Sequence, residues 1–369
     1  MKWMTAIVFG SVLQTCVSAS GPVSLTPAQL ETIMQPIVNE KSEQYNCTIS
    51  AALSFSTGTK AAVVAGNKDL VKKVPAVLSD KYVWGSVTKT LTGSNILKAV
   101  EAGLLTLNDP AHVHVDPVLT AIAEKDPTMK FSNMTELFGP DAVHVTINQL
   151  ARMMSGVPDF DTADAEKMDP TDKFRKSCYE DPTKDYRPQD LLSLPWVATK
   201  NLTFTPGTKV EYSSTNFVLL GLVLAGVYES TWDKFNQGAI IPAANKKHTV
   251  FGISGNPLHY TGVHGYDRTN YNGNDPHAFP GIDTASVDCV YAGWSASDYT
   301  ATIQDAADLT LDIYGPWLMV LCLFSCLFES DRTFSEHDCR SEQSYFDCRV
   351  AEDHGSRAQG TEANCCCSW

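Results

Sequence analysis

All twenty lysines of this 369-residue chain lie before residue 317, and the last 53 residues contain none. Arginine does not follow suit, with four before that point and four after it. Seven of the eleven cysteines fall in the same last stretch. So sharp a change in the use of common residues marks a boundary, and it confines any large core to the first 316 residues. That length suffices for one large domain or two modest ones. The tail opens on the apolar run Trp317–Phe324 and ends Cys365-Cys366-Cys367-Ser368-Trp369. The run is too short to cross a bilayer, and the tail holds no C-x-x-C pair of the kind that binds zinc. We read residues 317–369 as a Cys-rich tail unrelated to the preceding domain, from non-native coding sequence such as a retained intron or a frame shift.

The N-terminus reads as an export signal over residues 1–19. Lys2 is followed by an apolar stretch from Met4 to Val17, and Val17-Ser18-Ala19 is a small-x-small cleavage pattern. The expected location is therefore extracellular, with cleavage near Ala19. Three glycosylation sequons agree with that route, at Asn46, Asn133 and Asn201. The formal charge of -14 excludes nucleic acid and anionic lipid as main partners. With 43% hydrophobic and 19% charged residues the chain is globular, and no membrane span is expected in the mature protein. Between the signal and the tail stand only Cys47, Cys178 and Cys289, an odd count that leaves the pairing open. No metal or cofactor is expected: the histidines are scattered without an H-E-x-x-H motif, and His112 and His114 alternate like strand or loop positions.

Local patterns give an outline. Thr26-Pro27 is a helix start, cap then proline, leading into an amphipathic stretch to about Asn39. Thr48–Phe55 and Ala61–Ala65 are short β-prone runs around Ser56–Lys60, a hairpin signal. Helix is expected over Ser86–Ala102, Ile147–Met154, Asn216–Tyr228 and Ser297–Tyr314. Residues 253–285, rich in Gly, Asn, Asp, Pro and His, read as a long ordered loop.

The chemistry concentrates in Ser86-Val87-Thr88-Lys89. Serine is a poor nucleophile until a neighbour takes its proton. On a helix, residues three apart share a face. Burial disfavours the charged form of a lysine, so a lysine held there can accept that proton. A helix N-terminus favours negative charge on the serine oxygen. The tetrad alone is weak evidence, because S-x-x-K arises by chance about once in a chain this long.

Ordered blocks around it carry more weight. Trp84-Gly85-Ser86-Val87-Thr88-Lys89-Thr90, followed by Gly103–Pro110, resembles the serine β-lactamase-related family of class C β-lactamases, penicillin-binding proteins and related esterases. Val145–Leu150 with Met154–Asp159 is similar to that family's helix and SGLPD turn. Phe204–Thr208 with Tyr212–Gly221 is similar to its second catalytic block, and Ala292–Ser297 with Asp305–Leu309 to the helix beyond. The resemblance covers roughly residues 25–316. It implies an α+β fold, an antiparallel sheet flanked by helices plus a mostly helical domain, here with the sheet part over 20–85 and the helical part over about 86–316.

It also implies site residues. Ser86 would be the acylated nucleophile, Lys89 its proton partner and Tyr212 a second general base, acting on a small amide or ester: a β-lactam, a D-amino-acid peptide or a simple ester. Ser214 stands in a substrate-binding position where the family has asparagine, and a hydroxyl offers fewer hydrogen-bonding groups than an amide. The family's third motif, K-T-G or H-x-G on a late strand, occurs nowhere in the sequence. That strand supplies one backbone donor of the oxyanion hole, so the C-terminal strands are expected to be missing. The alternative implied by those two departures is a catalytically impaired or non-catalytic homologue. Oligomeric state is not readable.

Overall fold

A computed structural model describes residues 25–161, 173–238, 250–251, 262–267, 281–315 and 321–325. The signal segment, most of the loop expected over 253–285 and most of the tail lie outside these residues.

The first helix, α1 (Pro27–Tyr45), starts where the sequence signal places it. The Thr26 side chain accepts from the Gln29 N–H while the Gln29 side chain answers the Thr26 N–H, a reciprocal cap. It ends at Asn46, whose left-handed conformation stops the helix. Leu30 and Val38 are buried on its inner face, against the hairpin β1 (Thr48–Ser54) and β2 (Lys60–Ala65). All seven residues of β1 are buried, because the strand is covered on its faces and flanked on both edges. One edge is β2; the other is a later strand from the tail, Leu321–Ser325, antiparallel with Ile49 opposite Phe324 and Ala51 opposite Cys322. An apolar run read as outside the domain thus pairs with the hairpin, which a two-stranded ribbon needs for stability.

After β2 come the short ribbon β3 (Asn67–Asp69) and β4 (Val74–Pro75), then β5 (Lys81–Val83). β5 feeds a 3-10 turn, Gly85–Val87, and the helix α2 (Thr88–Glu101). The helical part follows: α3 (His112–Ala123), α4 (Met134–Phe138), α5 (Ile147–Ala151), α6 (Lys173–Glu180), α7 (Pro188–Leu192) and α8 (Thr215–Val227). Its centre is α8, buried on every side from Thr215 to Ala225. Gly221 is required there, since a Cβ would come within 2.2 Å of the Ser295 hydroxyl.

The short strands β6 (Val250–Phe251), β7 (Tyr266–Asp267) and β8 (Ile282–Asp283) precede β9 (Tyr299–Thr302), α9 (Ile303–Tyr314) and the tail strand β10 (Leu321–Ser325). β9 lies between β5 and β6. Two expectations are corrected here. His112 and His114 are helical, in the first turn of α3. The expected helix over Ser297–Tyr314 begins instead with the buried strand β9, and only at Ile303 does helix follow, capped by the Thr302 side chain accepting from the Asp305 N–H. Among the described residues no helix is long and apolar enough to cross a membrane.

Cys178 on α6 is bridged to Cys289, 111 residues further on; Cys47 is buried under the hairpin. Replacing both bridged cysteines by serine should lower unfolding free energy by about 2–5 kcal/mol, a large share of a typical domain's stability. Thermal melts of the two forms would measure it, and an unchanged midpoint would show that the bridge contributes little.

Candidate active site

Segment 294–302 is stitched to the β5–α2 junction, and this builds the site. Trp84 donates its backbone N–H to the Tyr299 carbonyl at 2.9 Å and its indole N–H to the Ala301 carbonyl at 3.1 Å. Tyr299 N–H donates to Thr88 Oγ1 at 3.0 Å, and Thr92 Oγ1 to the Ser295 carbonyl at 2.7 Å. These bonds carry the Ala296 carbonyl to the buried face of α2, where Lys89 lies. Gly85 has φ +51, a conformation suited to glycine, and it turns the chain so that Ser86 is exposed.

Lys89 is 8% exposed and reaches three oxygens. Its Nζ is 3.0 Å from Ser86 Oγ, 3.2 Å from Ser214 Oγ and 3.0 Å from the Ala296 carbonyl. A carbonyl only accepts, so one N–H is committed to Ala296. With a second directed at Ser214, the third position of the amine faces Ser86. As an ammonium it donates there; as an amine it presents its lone pair to the serine proton.

Tyr212 closes the arrangement from the solvent side, its hydroxyl 2.7 Å from Ser86 Oγ. It is 51% exposed, and its ring lies 5.1 Å from Lys89 Nζ. The structure therefore brings Ser86, Lys89 and Tyr212 together although 126 residues separate the first from the last. Ser214 is 4% exposed and is turned to Lys89.

One buttress carries no assigned role in the sequence reading. Asp159, at the end of the Ser155–Asp159 turn, accepts from the Ser214 N–H at 2.9 Å and from the Asp161 N–H at 3.2 Å. Burial first, then the charge of Asp161, pushes its carboxyl up to about 6, against the pull of these N–H groups and of Lys89. The turn is pinned behind it: a Cβ on Gly156 would strike the Phe204 carbonyl at 2.3 Å, and Phe160 N–H donates to Thr215 Oγ1 at 2.9 Å. Asp159 is visible in sequence only as part of a turn. The Ala296 carbonyl, a backbone group, has no residue signature at all.

Asp298, two residues past Ala296, is wholly buried, and among the described residues its carboxylate oxygens meet no hydrogen-bond partner beyond its own backbone N–H. Burial holds this acid well above the usual carboxylate range. A carboxyl raised in the folded state favours folding while it is protonated. That contribution is complete below its unfolded value near 4 and is lost as pH rises toward the folded one. Asp298→Asn should therefore gain stability relative to the parent as pH increases from about 4 to 7. Chemical denaturation at several pH values measures this, and parallel stability curves would refute it.

The remaining site residues are scattered. Asn46 and Asn201 are exposed, whereas Asn133 is half-buried and caps α4 by accepting from the Glu136 N–H at 2.8 Å. His114 Nε2 lies 3.5 Å from Asp109.

Comparison with known proteins places the chain in a family. The sequence matches the family profile described as Beta-lactamase over residues 51–311. It is 28% identical over 203 residues to Protein flp of Staphylococcus aureus (strain N315), covering 55% of this chain and 34% of that protein. The chain thus spans about a third of the length of the curated relatives it matches. In structure it is similar to D-amino acid amidase from Ochrobactrum anthropi SV3, with TM-score 0.56 and 19% identity over 78% of this chain and 71% of that one. A class C beta-lactamase is similar at TM-score 0.53 and 14% identity, covering 81% and 68%.

Proposed function

The chain belongs to the beta-lactamase family of serine hydrolases, and from that premise we propose that it forms an acyl-enzyme on Ser86 and hydrolyses a small amide or ester. The observation that carries this reading is the convergence of Lys89 Nζ and Tyr212 Oη on one serine oxygen, at 3.0 and 2.7 Å. In the proposed cycle the Ser86 proton passes to Lys89 or Tyr212 while Oγ bonds to the carbonyl carbon. The leaving amine or alcohol takes that proton as the tetrahedral intermediate collapses. Water then attacks the acyl-serine and gives a proton to the same pair, which returns it to Ser86 Oγ as the second tetrahedral intermediate collapses and the acid leaves.

Esters are the favoured donors. Neither K-T-G nor H-x-G occurs in the sequence; an oxyanion site short of one donor loses about 10²–10³ in rate, and amides with their poorer leaving groups suffer most. A D-aminoacyl amide is the second class, in line with the amidase whose fold this chain resembles. Export is part of the proposal: the signal over 1–19, the three sequons and the Cys178–Cys289 bridge fit an oxidising compartment.

A second reading, a binding homologue that keeps the site without turnover, is favoured by Ser214 and by the absent third motif. Release of p-nitrophenol from short-chain esters, and of p-nitroaniline from D- and L-aminoacyl anilides, separates the two. Turnover of the ester, faster than of either anilide, supports the hydrolase. No release from any donor by a folded sample supports the binding protein.

A further inference from the structure

Asp159 stands one bond behind the residues assigned above. Its carboxylate receives the main-chain N–H of Ser214, the residue whose hydroxyl meets Lys89 Nζ. That N–H opens α8, whose N-terminus favours a negative group. The carboxylate also lies within the field of Lys89 itself. A second carboxylate, Asp161, lies on the same loop and donates its N–H to Asp159.

We propose that Asp159 is a positioning residue for acylation, fixing Ser214 through its backbone and so holding the hydroxyl that meets Lys89 Nζ beside Ser86. The inference rests on the acyl-enzyme reading. Its physical basis is simple. An ionised carboxylate accepts the Ser214 N–H more strongly than a neutral carboxyl does, so charge on Asp159 tightens the link that holds Lys89 Nζ beside Ser86 Oγ. Among the described residues, charged groups that bear on Asp159 include Lys89 from α2 and Asp161 from its own loop. Its carboxyl, raised to about 6, gives the effect a sign: acylation is fastest with Asp159 ionised and declines as pH falls through about 6.

Asn at position 159 keeps an oxygen for the Ser214 N–H and removes the charge. The experiment uses the full chain and a fluorophosphonate probe, with the rate of Ser86 labelling followed across pH. Asp159→Asn should lower the labelling rate about tenfold or more at pH near 8, leave reagent saturation unchanged, and erase the decline near pH 6. Labelling at the parent rate with the decline retained overturns the proposal.

A second measurement separates this claim from the acyl-enzyme reading. The Ser214 amide proton should shift with pH as Asp159 titrates, and in Lys89→Met the midpoint should rise because the opposing cation is gone. If the parent is not labelled at all, the acyl-enzyme reading fails. A midpoint that still rises in Lys89→Met then upholds the Asp159–Lys89 link, and one that does not move overturns it.

Discussion

Ser86→Ala should lose acyl transfer by about 10⁴–10⁶-fold while keeping its fold. The size follows from the chemistry, since among the described residues no other hydroxyl is held by both Lys89 Nζ and Tyr212 Oη. Catalysis by the remaining groups would have to use water directly, without a covalent intermediate. Folding should be spared because Ser86 is exposed. The half-exposed Tyr212 hydroxyl can turn to solvent, and Lys89 keeps Ser214 and Ala296. The stability change should stay within about 1 kcal/mol, the net worth of an ordinary hydrogen bond. Steady-state ester hydrolysis and a thermal melt on one preparation give both numbers. Retention of activity in Ser86→Ala would remove the nucleophile from the scheme.

Lys89→Met should cost about 10²–10⁴-fold in the same assay, the usual contribution of a placed proton acceptor. Methionine keeps the stem that fills the buried channel but leaves the Ala296 carbonyl and the Ser214 hydroxyl without the amine. Leaving a buried acceptor unmet costs about 1–3 kcal/mol, so this variant, unlike Ser86→Ala, should also melt lower. Tyr212→Phe serves as the comparison. With its side chain half in solvent, a water molecule can take the place of the lost hydroxyl, and the loss should be smaller than for Lys89→Met. The reverse order would make Tyr212 the main base.

Much of this site could be read from residue order. Ser86, Lys89 and Tyr212 sit in ordered motifs, and the fold brings all three to one oxygen. Ser214 was legible as a departure from the family pattern, but its direction was not: only the placement of α8 turns its hydroxyl to Lys89 and its N–H to Asp159. The Ala296 carbonyl could not be found, since a main-chain acceptor carries no side-chain signal. Asp159 was hidden by its turn, where an aspartate ordinarily serves local geometry.

The fold was legible where local signals agreed. Thr26-Pro27 with Gln29 set the start of α1, and the two apolar runs about Ser56–Lys60 made the hairpin. It was misread where tertiary pairing decides. Tyr299-Thr300-Ala301-Thr302 precedes a true helix and has a β-prone composition, and β5 on one side with β6 on the other recruits it as a strand. His112 and His114 alternate in sequence, yet the Asn108-Asp109-Pro110 turn starts a helix beneath them. The tail strand shows the same principle. Backbone pairing asks for an extended run at an open edge and little else, so Leu321–Ser325 completes a sheet although the composition around it breaks from the rest of the chain.

The acyl-enzyme itself is open to observation. Incubating the folded, full-length protein with a fluorophosphonate or a labelled penicillin, then digesting it and mapping the adduct by mass spectrometry, would locate any acylated or phosphonylated residue. The expected result is a single adduct on the peptide holding Ser86, absent from Ser86→Ala. An adduct on another residue, or none on a folded sample, would contradict it.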